Sequence, residues 1–264
     1  MATQREDAAI SRETAAVIHG FAWLPDEWRD NRRDVDVTVA RDDLTRSARI
    51  GIDRRIADLP PEDVVRWRGL RITSAARTAV DLARFEKSRL FAIQLLDGVL
   101  RFEHCTREEM RAVLERMVRV PHVRRAGERL DLAREGVDSP QETKVRLQII
   151  DTRLPVPDVN LQIWQNGILL AQGDLGYWRF LIWIEYDGVD VHTPLRMDGR
   201  DQQKDRFLAR RGWEPFRLTK ADVRAPRRFH DELAAAIAEA PARIAAMDPA
   251  RSPEVGEARR LLGL

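Results

Sequence analysis

Cysteine is almost absent from this sequence, whose 264 residues contain one, Cys105. A single cysteine forms no internal disulfide and no multi-cysteine zinc site, which is typical of proteins from a reducing compartment. Long apolar runs are also missing, since no stretch approaches the ~18 uninterrupted apolar residues of a membrane span. The polar N-terminus lacks the apolar segment of a signal peptide. We therefore expect a cytoplasmic protein that does not insert into a membrane.

An excess of one charge is missing as well. The sequence has 45 Lys and Arg against 43 Asp and Glu, a formal charge of +2. Whole-chain charge thus does not indicate a polyanionic partner, and a nucleic-acid partner must be argued from local clusters of charge. With 44% apolar and 33% charged residues, the chain has the composition of a globular protein. Its length suits one large domain or two ordinary ones.

The first half of the sequence, residues 1–136, mixes short strands and helices. A helix is predicted over SRETAAVIHG, and period-two alternation in DVDVTVAR and ARIGIDRR predicts two half-buried strands. A third strand, GLRITS, leads into the helix SAARTAVDLARF, which either Thr73 or Ser74 caps. Three more helices follow, the second opened by a Thr106/Glu109 capping box. We expect an α+β region that ends in helices.

The stretch GVDSP at residues 136–140 predicts a domain boundary, with a second, α/β domain over residues 137–248. Ser139 and Pro140 open a helix, and Asn166-Gly167 is a strong hairpin signal between NLQIWQ and ILLAQGDLGYW. The apolar run RFLIWIEYD predicts a central strand, followed by a charged helix, the strand WEPFRLT and an alanine-rich helix. The predicted fold is a mixed sheet flanked by helices, and residues 249–264 are predicted to be a tail.

Two acids stand at the end of the predicted central strand. Glu185 and Asp187 follow Leu181 and Trp183 at spacings of two, so we expect all four side chains on one face. Two carboxylates on one face repel each other, and burial costs several kcal/mol unless a cation compensates. A divalent metal held by oxygen ligands is one such cation, and pairing with arginines of the basic helix is the alternative.

Three further residues complete the predicted site. Asp174 lies on the preceding strand, where it either joins Glu185 in holding Mg²⁺ (or Mn²⁺) or shapes a turn after Gly173. His192 lies in the following loop, either solvated or placed to assist an attacking water. Glu142 either completes a capping box with Ser139 or takes part in catalysis.

Residues 200–228 are basic. They contain ten Lys and Arg against four Asp and Glu, a local excess of 10 − 4 = +6. A positive surface beside a metal site is the arrangement expected of a phosphodiesterase, and a solvated helix face is the alternative. The residues expected to contact nucleic acid are Lys204, Arg206, Arg210, Arg211 and Lys220.

The motifs SPQET, GDLGY, IEYDGVDVH and QKDRFLARRGWEPFRLT occur in this order over about ninety residues. This series resembles Vsr-like endonuclease domains of actinobacterial proteins, a branch of the PD-(D/E)XK superfamily. The resemblance implies a restriction-endonuclease-like fold and site residues at Glu142, Asp174, Glu185, Asp187 and His192. Two residues after Glu185, where the superfamily has a lysine, this sequence has Asp187. Lys144 and Lys204 are the candidates to occupy the place of that lysine in the folded protein.

The first half, from ISRETAAVIHG to RITSAARTAVDLAR, resembles the middle region of AbiEi-type antitoxin regulators. Those proteins usually carry a winged helix-turn-helix before this region, and we expect none here. The resulting hypothesis is a Mg²⁺-dependent DNA endonuclease of repair, defence or toxin-antitoxin type. The alternative is a DNA-binding regulator or antitoxin that keeps the nuclease fold without cutting. DNA is the expected partner, and a homodimer or a protein partner is left open.

Overall fold

The computed structural model describes residues 8–30, 34–39, 51–188 and 199–264, and only the backbone at 199–202. The chain divides into two compact units, Met1–Glu135 and Gly136–Leu264. Each unit contains a mixed sheet together with helices, so the protein has a mixed α/β architecture.

The first unit contains a five-stranded sheet. Its strands are β1 (Ala8–Ile10), β2 (Val35–Val39), β3 (Ile52–Ile56), β4 (Val64–Trp67) and β5 (Leu70–Thr73). Their order is β3-β2-β1-β5-β4, with β2–β3 and β1–β5 parallel and the other pairs antiparallel. The sequence pattern predicts β2, β3 and β5 but misses the other two. Strand β1 is three alanine-rich residues without alternation, and β4 is a four-residue edge strand, too short for its alternation to be recognised, whose apolar Val65 and Trp67 are exposed.

In the described part of the first unit the sheet is accompanied by five α-helices. They are α1 (Arg12–His19), α2 (Ala75–Phe85), α3 (Arg89–Arg101), α4 (Arg107–Arg116) and α5 (Val123–Leu132). Ser74, not Thr73, caps α2, because its hydroxyl accepts a hydrogen bond from the Arg77 backbone N–H at 3.2 Å. The predicted capping box of Thr106 and Glu109 is confirmed at the start of α4. Apolar faces of α2 to α5 pack together into the core of this unit.

The second unit contains a four-stranded sheet covered by helices. Its elements are α6 (Pro140–Asp151), β6 (Asp158–Gln165), β7 (Ile168–Tyr177), β8 (Ile182–Tyr186), α7 (Gly199–Arg210), β9 (Glu214–Leu218), α8 (Lys220–Arg224), α9 (Arg227–Ala245) and α10 (Pro253–Leu262). The strand order is β6-β7-β8-β9. Strands β6, β7 and β8 form an antiparallel meander, and β9 returns parallel to β8. The predicted order of helix, three strands, helix, strand and helix is confirmed.

The central strand is shorter than the apolar run predicts. Residues Trp178–Phe180 form a short 3-10 helix, and Leu181 has a left-handed backbone with φ of 50°. Leu181 therefore lies before β8, and the predicted alternation begins only after it. The expectation that Leu181 shares a strand face with Glu185 is wrong, because a left-handed residue breaks the period of two.

The last sixteen residues are not a tail. Helix α10 begins at a Ser252 cap and buries Val255 and Ala258 completely in the core of the second unit. Arg211 pairs with the buried carboxylate of Glu254 at 3.0 Å. A short amphipathic helix after proline carries a weak sequence signal, which explains why the pattern predicts a tail here.

Within the described ranges, the chain forms no helix with both the length and the apolar character needed to cross a bilayer.

Candidate functional site

The predicted acids lie where β7 and β8 run side by side. Asp174 is half-buried, and its Oδ2 accepts a hydrogen bond from the Tyr186 backbone N–H at 2.8 Å. Burial raises the pKa of Asp174, the Tyr186 N–H opposes that rise, and the nearby charge of Glu185 adds to it. Asp174 and Glu185 therefore interact electrostatically, as the predicted meander requires.

The Glu185 carboxylate is held by three groups. Its Oε1 accepts from the indole Nε1 of Trp183 at 2.8 Å and from the Nζ of Lys204. Its Oε2 pairs with the Nη1 of Arg217 at 3.2 Å. Two cations and an N–H thus compensate a carboxylate that is only 13% exposed.

Lys204 reaches the acids from helix α7. Its Nζ donates to the Gln172 carbonyl at 2.7 Å in addition to its ion pair with Glu185, and it lies 5.6 Å from the centre of the Trp183 ring. Of the two lysines that the sequence leaves open, Lys204 is therefore the one that contacts the Glu185 carboxylate. The Lys204 ammonium lies beside Asp174 and Glu185, although Lys204 belongs to helix α7 and not to β8.

Gly173 makes room for this arrangement. A Cβ atom at Gly173 would lie 2.4 Å from the Trp183 ring, so only glycine lets that buried ring lie against β7. The ring in turn carries the N–H that holds Glu185. The glycine before Asp174 is thus a packing residue, and the sequence signal that could reveal it is the unexplained glycine inside a strand.

Arg217 forms ion pairs with two further acids, Asp187 and Asp205, as well as with Glu185. It pairs with Asp187 at 3.4 Å and with Asp205 at 2.8 Å, and the hydrogen bond that it donates to Asp205 raises the pKa of the guanidinium. Arg217 lies directly opposite Glu185 in the parallel pairing of β8 and β9. The predicted alternative, in which arginine neutralises Glu185 and Asp187, is therefore present, but the arginine comes from β9 and not from the basic helix.

Glu142 is buried near Asp174 at the start of α6. Its side chain is a hydrogen-bond acceptor for the Asp138 backbone N–H at 2.9 Å, and its own N–H donates to the Ser139 hydroxyl at 3.3 Å. Ser139 therefore caps the helix. In a capping box the Glu142 carboxylate would accept from the Ser139 backbone N–H, but here it accepts from the N–H of the preceding residue, Asp138. Burial raises the pKa of Glu142 to about 7, and the charge of Asp174 contributes to the rise.

His192 lies outside the described residues. Among the residues that are described, no three or more His, Cys, Asp and Glu side chains are grouped closely enough to hold a metal ion between them. The side chains that do converge are Asp174, Glu185 and Asp187, with Glu142 near Asp174 and with Lys204 and Arg217 between the carboxylates.

The basic residues divide into two groups. Lys204 and Arg211 are engaged in ion pairs with Glu185 and Glu254. Arg206, Arg210 and Lys220 are exposed on the surface of the second unit. Trp213 is 3% exposed and packs edge-on against Trp183, so it belongs to the core.

Comparison with known proteins gives a family match for the first unit. Residues 8–132 match the family described as AbiEi antitoxin C-terminal domain, which confirms the resemblance of the first half. Two curated Mycobacterium tuberculosis proteins, "Uncharacterized protein MT2308" of strain CDC 1551 and "Uncharacterized protein Rv2248" of strain H37Rv, are each 32% identical over 157 residues. The match covers 59% of this chain and 57% of each relative, so it spans little more than half their length. No solved structure matches the chain significantly.

Proposed function

We propose that residues 136–264 form a metal-dependent DNA endonuclease of the PD-(D/E)XK, Vsr-like type. The observation that carries this proposal is the convergence of Asp174, Glu185 and the Lys204 ammonium at the edge of a mixed sheet. The order of α6, the β6–β8 meander, α7 and β9 is the order that the sequence pattern predicts, and the motifs of the resemblance lie on these elements in the same sequence. Lys204 supplies in space the positive charge that is absent two residues after Glu185.

The donor set suits Mg²⁺ or Mn²⁺. These ions prefer oxygen ligands, and Mg²⁺ is usually held by one or two carboxylates, with waters and substrate phosphates filling the other positions. Asp174 and Glu185 are the carboxylates that would hold it. Five acids (Glu142, Asp174, Glu185, Asp187 and Asp205) and two cations (Lys204 and Arg217) lie in the cluster, so negative charge is in excess and a cation is attracted.

The side chains of this chain then divide the work of phosphodiester hydrolysis. A bound divalent cation supplies Lewis acidity, lowering the pKa of a water and neutralising charge on the phosphate. Lys204, held between Glu185 and the Gln172 carbonyl, would supply a positive charge to the phosphate beside Glu185. Glu142, whose pKa is about 7, is able to hold or release a proton at neutral pH. His192 keeps its proposed role in assisting the attacking water.

The test is cleavage of supercoiled, single-stranded and mismatched DNA by the full chain with Mg²⁺ or Mn²⁺, compared with the same mixture containing EDTA. We expect metal-dependent cutting that Asp174→Asn reduces by ~10²-fold or more, the scale seen when electrostatic stabilisation of a transition state is lost. Asp151→Asn, an exposed acid at the end of α6, is the matched control and should cut like the wild type. Equal cutting by both variants, or none by the wild type, would refute the proposal.

A second candidate function is that of an antitoxin or DNA-binding regulator that does not cut. The observation that favours it is the family match over residues 8–132. In this case the ion pairs of Glu185 with Lys204 and Arg217 are structural and stabilise the second unit. Binding to duplex DNA that is unchanged in Asp174→Asn, without cleavage in either protein, would favour this function over the first.

A further inference from the structure

The first unit contains a large cavity, lined by residues of that unit. Its volume is about 1110 Å³, and its wall comes from the start of α1, from β2, β3, residues 57–60, Asp63 and α2, and from residues 116–121. Five arginines line it against three aspartates: Arg12, Arg55, Arg77, Arg84 and Arg116, with Asp58, Asp63 and Asp81. The lining therefore has an excess charge of 5 − 3 = +2.

Two buried aspartates fix three of these arginines. Asp63, 1% exposed, accepts hydrogen bonds from Arg77 at 2.7 Å and from Arg116. Asp81 accepts from Arg77 at 2.8 Å and from Arg84 at 2.6 Å. Three arginines therefore share two aspartates in this part of the wall, a local excess of 3 − 2 = +1, and the hydrogen bonds between them hold the side chains in place.

Arg12 and Arg55 do not belong to this group of arginines bound by Asp63 and Asp81. Arg55 pairs with Asp53, which does not line the cavity. The Arg12 Nε is buried and makes no hydrogen bond within the described chain, while the guanidinium lies 5.4 Å from the centre of the Phe85 ring. The Nε thus has no acceptor among the described residues, and Arg12 lines the cavity, where an anion from outside the chain can pair with the positive charge of its guanidinium.

The cavity wall also has an apolar part. Ile56, Phe85 and Val118 line the cavity and are 56%, 43% and 72% exposed, unusually high values for large apolar side chains in a cavity wall. The volume of about 1110 Å³ slightly exceeds the ~300–1,000 Å³ typical of small-molecule sites and is far more than an inorganic phosphate fills. A ligand that matches both the arginines and the apolar side chains carries a phosphate together with a flat, largely apolar group.

We propose that this cavity binds a nucleotide, free or within a nucleic-acid strand, with a phosphate at Arg12 and the base against Phe85. An aromatic ring is a surface on which any base stacks, and guanidinium groups are the usual partners of phosphate. The site would give the antitoxin-like unit a ligand of its own. It does not depend on the acids of the second unit, so the two proposals fail separately.

The test is isothermal titration of the full chain, in EDTA, with ATP, GTP, adenosine, tripolyphosphate and a ten-nucleotide single-stranded DNA. We expect a nucleotide or the strand to bind, with adenosine and tripolyphosphate each weaker by about tenfold or more. Arg12→Ala should weaken binding by about tenfold or more, the effect of losing a charge-assisted hydrogen bond. Binding of the free nucleotides, or of the strand alone, identifies which source supplies the phosphate.

Two further variants keep the result interpretable. Val118→Glu adds a negative charge at a 72% exposed position of the rim, where the fold tolerates it, and should weaken nucleotide binding as Arg12→Ala does. Arg101→Ala removes an exposed arginine that does not line the cavity and should bind like the wild type. The proposal is overturned if no nucleotide or strand binds, or if all three variants bind equally. Binding of hexaglutamate in place of nucleotides also overturns it and points to a protein partner.

Discussion

The acids of the candidate site follow from their positions in the sequence, but their partners do not. Glu185 stands at the end of an apolar strand and Asp174 on the strand before it, so strand periodicity alone brings them together. Lys204 and Arg217 reach Glu185 from α7 and β9, which follow it in the chain. Those contacts depend on how the helix packs and on a parallel pairing, and no local pattern encodes either of them.

Glu142 gives a prediction of pH dependence. Its folded-state pKa of about 7 lies above the ordinary value of 4.5, so the folded protein retains this proton more tightly than the unfolded chain does. The buried carboxylate therefore lowers stability progressively as the pH rises from 4.5 to about 7, and costs nothing below that window. Glu142→Gln should be more stable than the wild type at high pH, by at most about 3 kcal/mol, since one pKa unit is worth about 1.4 kcal/mol.

Urea unfolding at about pH 8 and about pH 5 measures this difference. The advantage of Glu142→Gln should shrink toward the lower pH, and Glu239→Gln, an exposed control on α9, should show no such trend. If Glu142→Gln differed from the wild type by the same amount at both pH values, the pKa of Glu142 would not be raised by folding.

At the scale of elements, the long periodic segments are predictable and the short ones are not. Strands β6 and β7, the turn at Asn166-Gly167 and helices α2 to α6 appear where the pattern places them. The three-residue strand β1 and the edge strand β4 carry too little periodicity to be recognised. Leu181 shows the opposite failure, because an apolar run continues through a residue whose left-handed backbone ends the strand.

Helix α10 allows a test at this scale. Val255 is fully buried in the second core, whereas Leu261 on the same helix is 43% exposed. Val255→Asp should destabilise the second unit by about 3 kcal/mol or more, because it buries a charge without a partner. Leu261→Asp is the matched control and should change stability by less than about 1 kcal/mol. Equal, small effects in urea unfolding followed by tryptophan fluorescence would show that α10 does not pack as described.

At the scale of the whole molecule, the two units rest on different kinds of evidence. The family match extends over residues 8–132 and so over most of the first unit. The argument for the second unit is chemical, from the geometry of Asp174, Glu185 and Lys204. The near-neutral charge of the whole chain does not show how charge is distributed within the second unit. Acids cluster around the candidate site there, and exposed arginines such as Arg206 and Arg210 lie on the same unit.

The central claim is that Asp174 and Glu185 hold a divalent cation beside Lys204. Calorimetric titration of the full chain with Mn²⁺ tests it most directly, because an ion of this kind prefers carboxylate oxygens and its binding is measured without any DNA. We predict one Mn²⁺ site that Asp174→Asn weakens by about tenfold or more, as expected for a lost ligand. Lys204→Met should bind Mn²⁺ at least as tightly as the wild type, because it removes the cation that competes for Glu185. A wild-type protein that binds no Mn²⁺, or an Asp174→Asn variant that binds it unchanged, would contradict the claim.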